Sequence, residues 1–368
     1  MAHPPPPDRP GPPATGPAVW HGPELLGAGA GQCLTLLPSH VLELHTALRT
    51  AQRRGLPLLR LTAADFPLPF GAGALRRVAH GLEHGRGFAV VRGLPLDRLG
   101  PVAVSTLFWG LGQHLGVPVS QNADGHMLGH VRDTGRDPAD PATRGYQTGA
   151  RLPFHSDPAD VLALLHLTAP RSGGRTALVS SAAIHNAVLE RRPDLAPRLF
   201  RRYCVDRREE QAPGEPGWHE VPLAVWHGGR LSIRYDRLLL ESAQRFPEVP
   251  RLERQDTELF DLIDELAESD RFRLDLDLRV GDLLLVNNHA VLHRREAYQD
   301  FDDPQRRRHL LRLWLTPHQC RELPAWFWGT DHLGAGSPGR GGVAPRDVVA
   351  PRAAPAEPHP TRIAASAR

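Results

Sequence analysis

Apolar residues recur along this chain with two periods. Spacings of three and four place Val41, Leu44 and Leu48 on one face of a helix that Ser39 is positioned to cap. The same spacing joins Val104, Leu107, Phe108, Leu111 and Leu115, and again Leu259, Leu262, Ile263 and Leu266. Between these helices lie strand patterns. Residues 87–93 form a short apolar run bounded by glycines, and residues 161–167 form another between prolines. Phe272, Leu274, Leu276, Leu278 and Val280 alternate with charged residues, which predicts one half-buried strand. Gly281-Asp282 then turns the chain into residues 283–286. Residues 223–226 and 231–235 flank His227-Gly228-Gly229-Arg230, the signature of a hairpin turn. A β core with flanking helices follows, closed or built from two sheets.

The ends differ from the middle. Residues 1–31 are rich in Pro, Gly and Ala without periodicity and read as a disordered leader. Residues 334–368 return to Gly, Pro, Ala and Arg and read as a disordered tail. One globular unit, residues 32–333, is expected between them.

Composition mainly excludes. The 368 residues carry 44 basic and 41 acidic side chains, a net charge of +3, and contain no lysine. No dense basic stripe with interleaved aromatics occurs, so a nucleic-acid partner is not expected. No run approaches the roughly 18 apolar residues of a membrane span. Cys33, Cys204 and Cys320 are too few and too scattered for a disulfide framework, as in a reducing cytoplasm. The expected partner is a small-molecule substrate; assembly into a homo-oligomer stays open.

Candidate chemistry centres on Phe154-His155-Ser156-Asp157. A His and an Asp two residues apart project from one face of an extended chain and can reach one ion. Downstream, Gly281-Asp282-Leu283-Leu284-Leu285-Val286-Asn287-Asn288 leads to His289 and His293. Two histidines and a carboxylate cap one face of a metal and leave the other open, the donor set of non-haem Fe(II) oxygenases. Pro170-Arg171-Ser172-Gly173-Gly174-Arg175-Thr176 lies between the two ends, and Arg308 and Arg312 follow.

This ordered series, over roughly residues 80–328, resembles the taurine dioxygenase-like (TauD/TfdA) family of Fe(II)/2-oxoglutarate-dependent oxygenases. The resemblance implies a double-stranded β-helix, a jelly roll of cupin type. It implies iron at His155, Asp157 and His293, with 2-oxoglutarate and O2 as co-substrates. It assigns the far carboxylate of 2-oxoglutarate to Arg308, with Thr176 as hydroxyl donor, since an arginine fork matches a carboxylate. It gives Arg312 a role in positioning 2-oxoglutarate or an anionic part of the substrate. The implied activity is hydroxylation or desaturation of a small polar molecule, such as an amino acid or a natural-product intermediate. Halogenating relatives lack the carboxylate, so Asp157 argues against that outcome.

The residues also admit plainer readings. His289 competes with His293 as third ligand, and Arg307 with Arg308. Thr176 is also a plausible β-branched strand residue, and Arg312 a plausible structural ion-pair partner. Arg308, Leu310, Arg312 and Trp314 share one side of a strand, Leu311, Leu313 and Leu315 the other. Gln121-Asn122 and Tyr146-Gln147 occupy positions that line the substrate pocket in relatives, with a surface loop as the default. His166, His185, His219, His227 and His318 lack ligand spacing, and Trp326-Phe327-Trp328 reads as a packing anchor. A cupin-type enzyme not using 2-oxoglutarate and a non-catalytic metal- or 2-oxoglutarate-sensing module are the alternatives.

Overall fold

In the computed structural model, residues 10–26, 33–324, 326–328, 340–345 and the short strand Arg352–Ala353 are described. Two sheets face each other. The larger orders its strands as Cys33–Thr35, Phe88–Arg92, Leu283–Asn287, Val161–Thr168, His309–Pro317, His126–Val131 and Arg352–Ala353, with Gly116–Val119 also paired to His309–Pro317. The smaller orders Leu274–Leu276, Thr176–Ser180, Val291–Arg295 and Leu152–His155.

Period-two alternation sorts the side chains into layers. Ala163, Leu165, Leu285, Leu311 and Leu313 leave the larger sheet outward and pack with Leu44, Leu48, Leu107, Phe108 and Leu111. These come from the helices Pro38–Arg54 and Pro101–Leu115. Leu162, Leu284, Val286 and Trp314 point inward and meet Leu178 and Val291 of the smaller sheet. Phe154, Ala177, Val179 and Leu292 leave the smaller sheet outward, against Leu259, Ile263 and Leu266 of the helix Arg254–Glu268. Each fully buried Leu or Phe contributes about 1.5–3 kcal/mol of apolar transfer, so this layering strongly selects the register. The result is the expected mainly β, jelly-roll core with flanking helices.

Local expectations were modified in four places. The first helix begins at Pro38, whose fixed φ suits a first helical position, and the Leu37 N–H donates to the His40 ring instead of Ser39 providing a cap. The strand expected from Phe272 to Val280 pairs only over Leu274–Leu276. Its partner strand starts at Thr176, because Gly173 and Gly174, both at φ +73°, turn the chain away. Val280 is consequently exposed.

Third, part of the expected leader packs. Trp20 is buried and donates its indole N–H to Arg86 O at 2.9 Å, and Ala14 exchanges two hydrogen bonds with Asn186. Pro, Gly and Ala carry little helical or strand signal, which hid these anchors. Fourth, part of the expected tail packs: the Gly342 N–H donates to Pro158 O and the Val343 N–H to Ser120 O. Residues 1–9, 27–31, 334–339, 346–351 and 354–368 of the expected leader and tail lie outside the described residues. The hairpin forms as expected, with Gly228 and Gly229 at φ +55° and +72° between Ala224–His227 and Arg230–Ile233.

Candidate metal centre and co-substrate cleft

The inward faces of the two sheets carry the chemistry. His155 ends one strand of the smaller sheet, and His293 lies directly opposite it on the neighbouring strand. Asp157 follows in the loop, and the three residues offer ligand atoms within 4.8 Å of one another. Among the described residues this is the one such group of three or more His, Cys, Asp or Glu. His289 is elsewhere: its Nε2 meets Asp160 at 2.7 Å in a buried pair. The geometry therefore groups His293, not His289, with the H-x-D motif.

Two of the three donors are oriented by a neighbour. His155 Nδ1 contacts Pro153 O at 2.8 Å, which directs Nε2 toward the cluster. The Trp314 indole N–H donates to Asp157 Oδ2 at 3.0 Å, leaving Oδ1 for the histidines, 3.9 Å from His155 Nε2. His293 Nδ1 is buried with no hydrogen-bond partner. Burial, then His155, push the His293 imidazole down to about 3, so it stays neutral, as a metal ligand must. Burial raises the Asp157 carboxyl, but Arg312, the two histidines and Trp314 outweigh it and hold it below the usual range. Two imidazoles and one carboxylate with a free oxygen fit a divalent iron.

The loop that presents Asp157 is braced from several sides. Asn288 accepts the Asp157 N–H at 3.1 Å and donates to Ala159 O at 2.9 Å. Ser156 exchanges two hydrogen bonds with Tyr235. The pair Asn287-Asn288 in the sequence thus divides its work: Asn287 donates to Leu82 O and receives the His289 N–H.

A cleft lined by Thr176, Gly174, His166 and Arg308 lies at the end of the strand that pairs with the His293 strand. Arg308 is buried, while Arg307 is exposed and donates to Phe301 O and Asp302 O. Arg308 stacks on Tyr298 at 4.9 Å, and its Nη1 has no hydrogen-bond partner. A Cβ on Gly174 would approach Arg308 Nε to 3.3 Å, so the glycine keeps the guanidinium accessible. Thr176 lies two residues along its strand from Leu178, which faces His293. That is ~7 Å at the rise of a strand, a span suited to a five-carbon dicarboxylate. A buried arginine with a free Nη1 beside a threonine fits such a carboxylate.

Arg312 lies deeper. Its Nε donates to Gln121 Oε1 at 2.6 Å, Nη1 is 4.0 Å from Asp157 Oδ2, and its guanidinium stacks between Tyr146 and Trp314, each at 4.6 Å. The surface default fails for Gln121, which is 2% exposed and also donates to Met127 O and Arg312 O. Sequence reasoning missed His166 and Tyr298 as neighbours of these sites. His166 was legible in principle, since Leu162, Leu164 and His166 alternate onto the inward face. Trp326-Phe327-Trp328 does anchor the chain's end: Phe327 and Trp328 are buried and touch the His289 ring.

Residues 54–314 match the family described as taurine catabolism dioxygenase TauD, TfdA family. The chain belongs to the TauD/TfdA family. It is 33% identical to FR-33289 synthase of Streptomyces rubellomurinus over 85% of this chain and 93% of that protein. It is 30% identical to taurine hydroxylase-like protein SAT17 of Stachybotrys chartarum, over 80% and 77%. Among solved structures, asparagine oxygenase with Fe(II), hydroxyasparagine and succinate aligns at TM-score 0.60, 15% identity, 77% of this chain and 93% of that one. OrfP, a non-haem iron oxygenase with Fe, succinate and hydroxyarginine, aligns at 0.58, 20% identity, 77% and 94%. Those two likenesses speak to the fold. As a TauD/TfdA protein the chain is an Fe(II)/2-oxoglutarate-dependent dioxygenase acting on a small molecule. No helix among the described residues is long and apolar enough to cross a membrane.

Proposed function

We propose that His155, Asp157 and His293 hold the iron, that Arg308 and Thr176 hold 2-oxoglutarate, and that Arg312 positions the reacting groups. One observation carries this reading: three ligand atoms within 4.8 Å, and on the strand paired with that of His293 the Thr176 edge of a cleft into which a buried arginine brings an Nη1 without a hydrogen-bond partner. Iron bound there supplies oxidising power by coupling O2 reduction to decarboxylation of 2-oxoglutarate. The chain's own residues set geometry. His155 and His293 present imidazole nitrogens, and Trp314 and Arg312 restrain Asp157 so that one oxygen faces the ion. Arg308 aligns the co-substrate through its far carboxylate, and the apolar inner layer excludes water.

The substrate enters by the pocket formed by Thr143, Arg144, Tyr146, Leu238, Leu239 and Arg312 around His155 and Asp157. An amino acid or a natural-product intermediate suits this polar lining, as in the asparagine- and arginine-hydroxylating neighbours and the synthase relative. We read residues 32–333, with the packed ends, as one oxygenase domain working in the cytoplasm without a nucleic-acid or membrane partner. Three free cysteines and the absence of a basic stripe support that reading.

Anaerobic titration of the protein with Fe(II) and 2-oxoglutarate tests the proposal. A visible metal-to-ligand charge-transfer band is expected, lost in His155→Ala and His293→Ala. A folded protein that binds both without the band overturns the ligand assignment. Succinate release across a panel of amino acids and their derivatives then narrows the substrate.

A further inference from the structure

A third cavity adjoins the entrance pocket and shares Arg144, Asp236 and Leu239 with it. Its walls come from Arg202–Asp206, Trp218–Pro222 and their connecting loop, from the loop holding Ser156 and Pro158, and from Val343 and Ala344. Cations and anions in this lining are largely matched. Arg144 pairs with Glu210 and Arg207 with Glu215, both at 2.8 Å, and Asp206 pairs with Arg245 from outside it at 2.9 Å. Asp236 caps a helix by accepting the Leu239 N–H.

Arg234 is the exception. It lines the cavity, its guanidinium sits 5.2 Å from the Trp328 ring, and its buried Nη1 has no hydrogen-bond partner. No carboxylate among the described residues forms an ion pair with it. Arg234 is partly buried as a residue, and Asp236, two residues on, bears on its charge without forming an ion pair, so the buried Nη1 is incompletely compensated; a cation–π contact of about 1–2 kcal/mol offsets only part of that cost. Arg312, nearer the candidate metal ligands, already contacts Asp157 and Gln121. Arg234 is also tied to the reacting centre: the next residue, Tyr235, exchanges two hydrogen bonds with Ser156, between His155 and Asp157.

We propose that Arg234 is the specificity-determining cation for an oxoanion at the end of the substrate remote from the reacting carbon. The substrate class is then a small molecule with a carboxylate or tetrahedral oxoanion terminus, spanning from the entrance pocket to this cavity. Burial already lowers the Arg234 guanidinium to about 10, so an incoming anion relieves an existing strain on its charged form. The inference rests on the reading of His155, Asp157 and His293 as the reacting centre.

Calorimetric titration of the protein loaded with Zn(II) and 2-oxoglutarate, and of the metal-free protein, tests it with inorganic phosphate and with malonate. Loading fills the Arg308 cleft, so a further anion reports the other site. Wild type is expected to bind at least one probe. Arg234→Gln should weaken binding at least tenfold, and Arg234→Lys should restore part of it. Preference for phosphate or malonate distinguishes a tetrahedral from a planar terminus. Equal affinity in wild type and Arg234→Gln, or no binding of either probe by wild type, overturns the proposal. If Arg234→Gln does not fold, Arg234→Lys alone decides, because losing the planar fork still weakens malonate severalfold. In turnover, Arg234→Gln should raise the substrate KM at least tenfold with kcat little changed. A missing charge-transfer band would sink the iron assignment while leaving the anion titration intact.

Discussion

The Trp314 indole N–H donates to Asp157 Oδ2 across 3.0 Å, joining the inner face of the larger sheet to the loop that presents the candidate carboxylate ligand. Both residues are buried, and the bond leaves Asp157 a single oxygen for the two histidines. Trp314→Phe removes the donor and keeps most of the packing. Outer partners of metal ligands typically carry about 10–100-fold in affinity. Iron affinity, measured by anaerobic titration, is therefore expected to fall at least tenfold while stability drops by about 1–2 kcal/mol. Unchanged affinity in folded Trp314→Phe would show that Asp157 needs no such restraint.

Arg308 and Arg307 are adjacent in sequence and opposite in environment. Arg308→Lys keeps the charge but loses the planar fork, so the 2-oxoglutarate KM should rise about 10–100-fold. Iron affinity should not change. Arg307→Ala removes an exposed side chain and should leave the KM where it was. A steady-state series in 2-oxoglutarate separates the two, and equal effects would contradict the placement of Arg308 in the cleft.

The legibility of these residues from sequence follows from period. Arg308, Arg312 and Trp314 were readable as one face because the strand His309–Pro317 alternates cleanly and is central to its sheet. His155 and Asp157 were readable for the same reason. The exclusion of His289 was not, since its partner Asp160 lies in a distant loop with no periodic relation to it. Gln121 was named as a pocket position but assigned to the surface by default, because it lies in an irregular segment outside any regular strand. Arg234 directly follows the hairpin strand Arg230–Ile233, and no local pattern marked it as a cavity residue. The packed parts of the two ends escaped notice because their anchors, Trp20 and Arg340, are single residues in Pro- and Gly-rich surroundings.

His166 makes the protein's stability depend on pH. Burial, then Arg308, push its imidazole down to about 3 from an ordinary 6.5. The unfolded chain therefore binds a proton that the folded protein refuses between those values. Stability from this residue is full above about pH 6.5 and declines as pH falls, by about 1.4 kcal/mol per unit down to its folded value. His166→Gln should lose about 2 kcal/mol less than wild type on going from pH 6.5 to 5. Urea unfolding at the two pH values measures the difference. Parallel losses in both proteins would show that His166 is not the proton-linked group.

Arg340 donates to both oxygens of Asp160, at 3.0 and 2.8 Å, while His289 meets Asp160 from the other side at 2.7 Å. Asp160 is 2% exposed, so its charge depends on these two partners, and both hold its carboxyl below the usual range against burial. Breaking a buried pair costs about 3–5 kcal/mol, and His289 remains, so Arg340→Ala should lose toward the lower end, about 3 kcal/mol. Ending the chain after residue 339 should cost at least as much, because it also removes the bonds from Gly342 to Pro158 and from Val343 to Ser120. Asp157 and Asp160 share one loop, so the truncated protein should also bind iron more weakly than wild type. The double variant Arg340→Ala/Asp160→Asn should recover part of the stability, since no unpaired charge is left behind. A truncated protein with wild-type unfolding midpoint and iron affinity would show that residues 340–345 rest on the site without holding it.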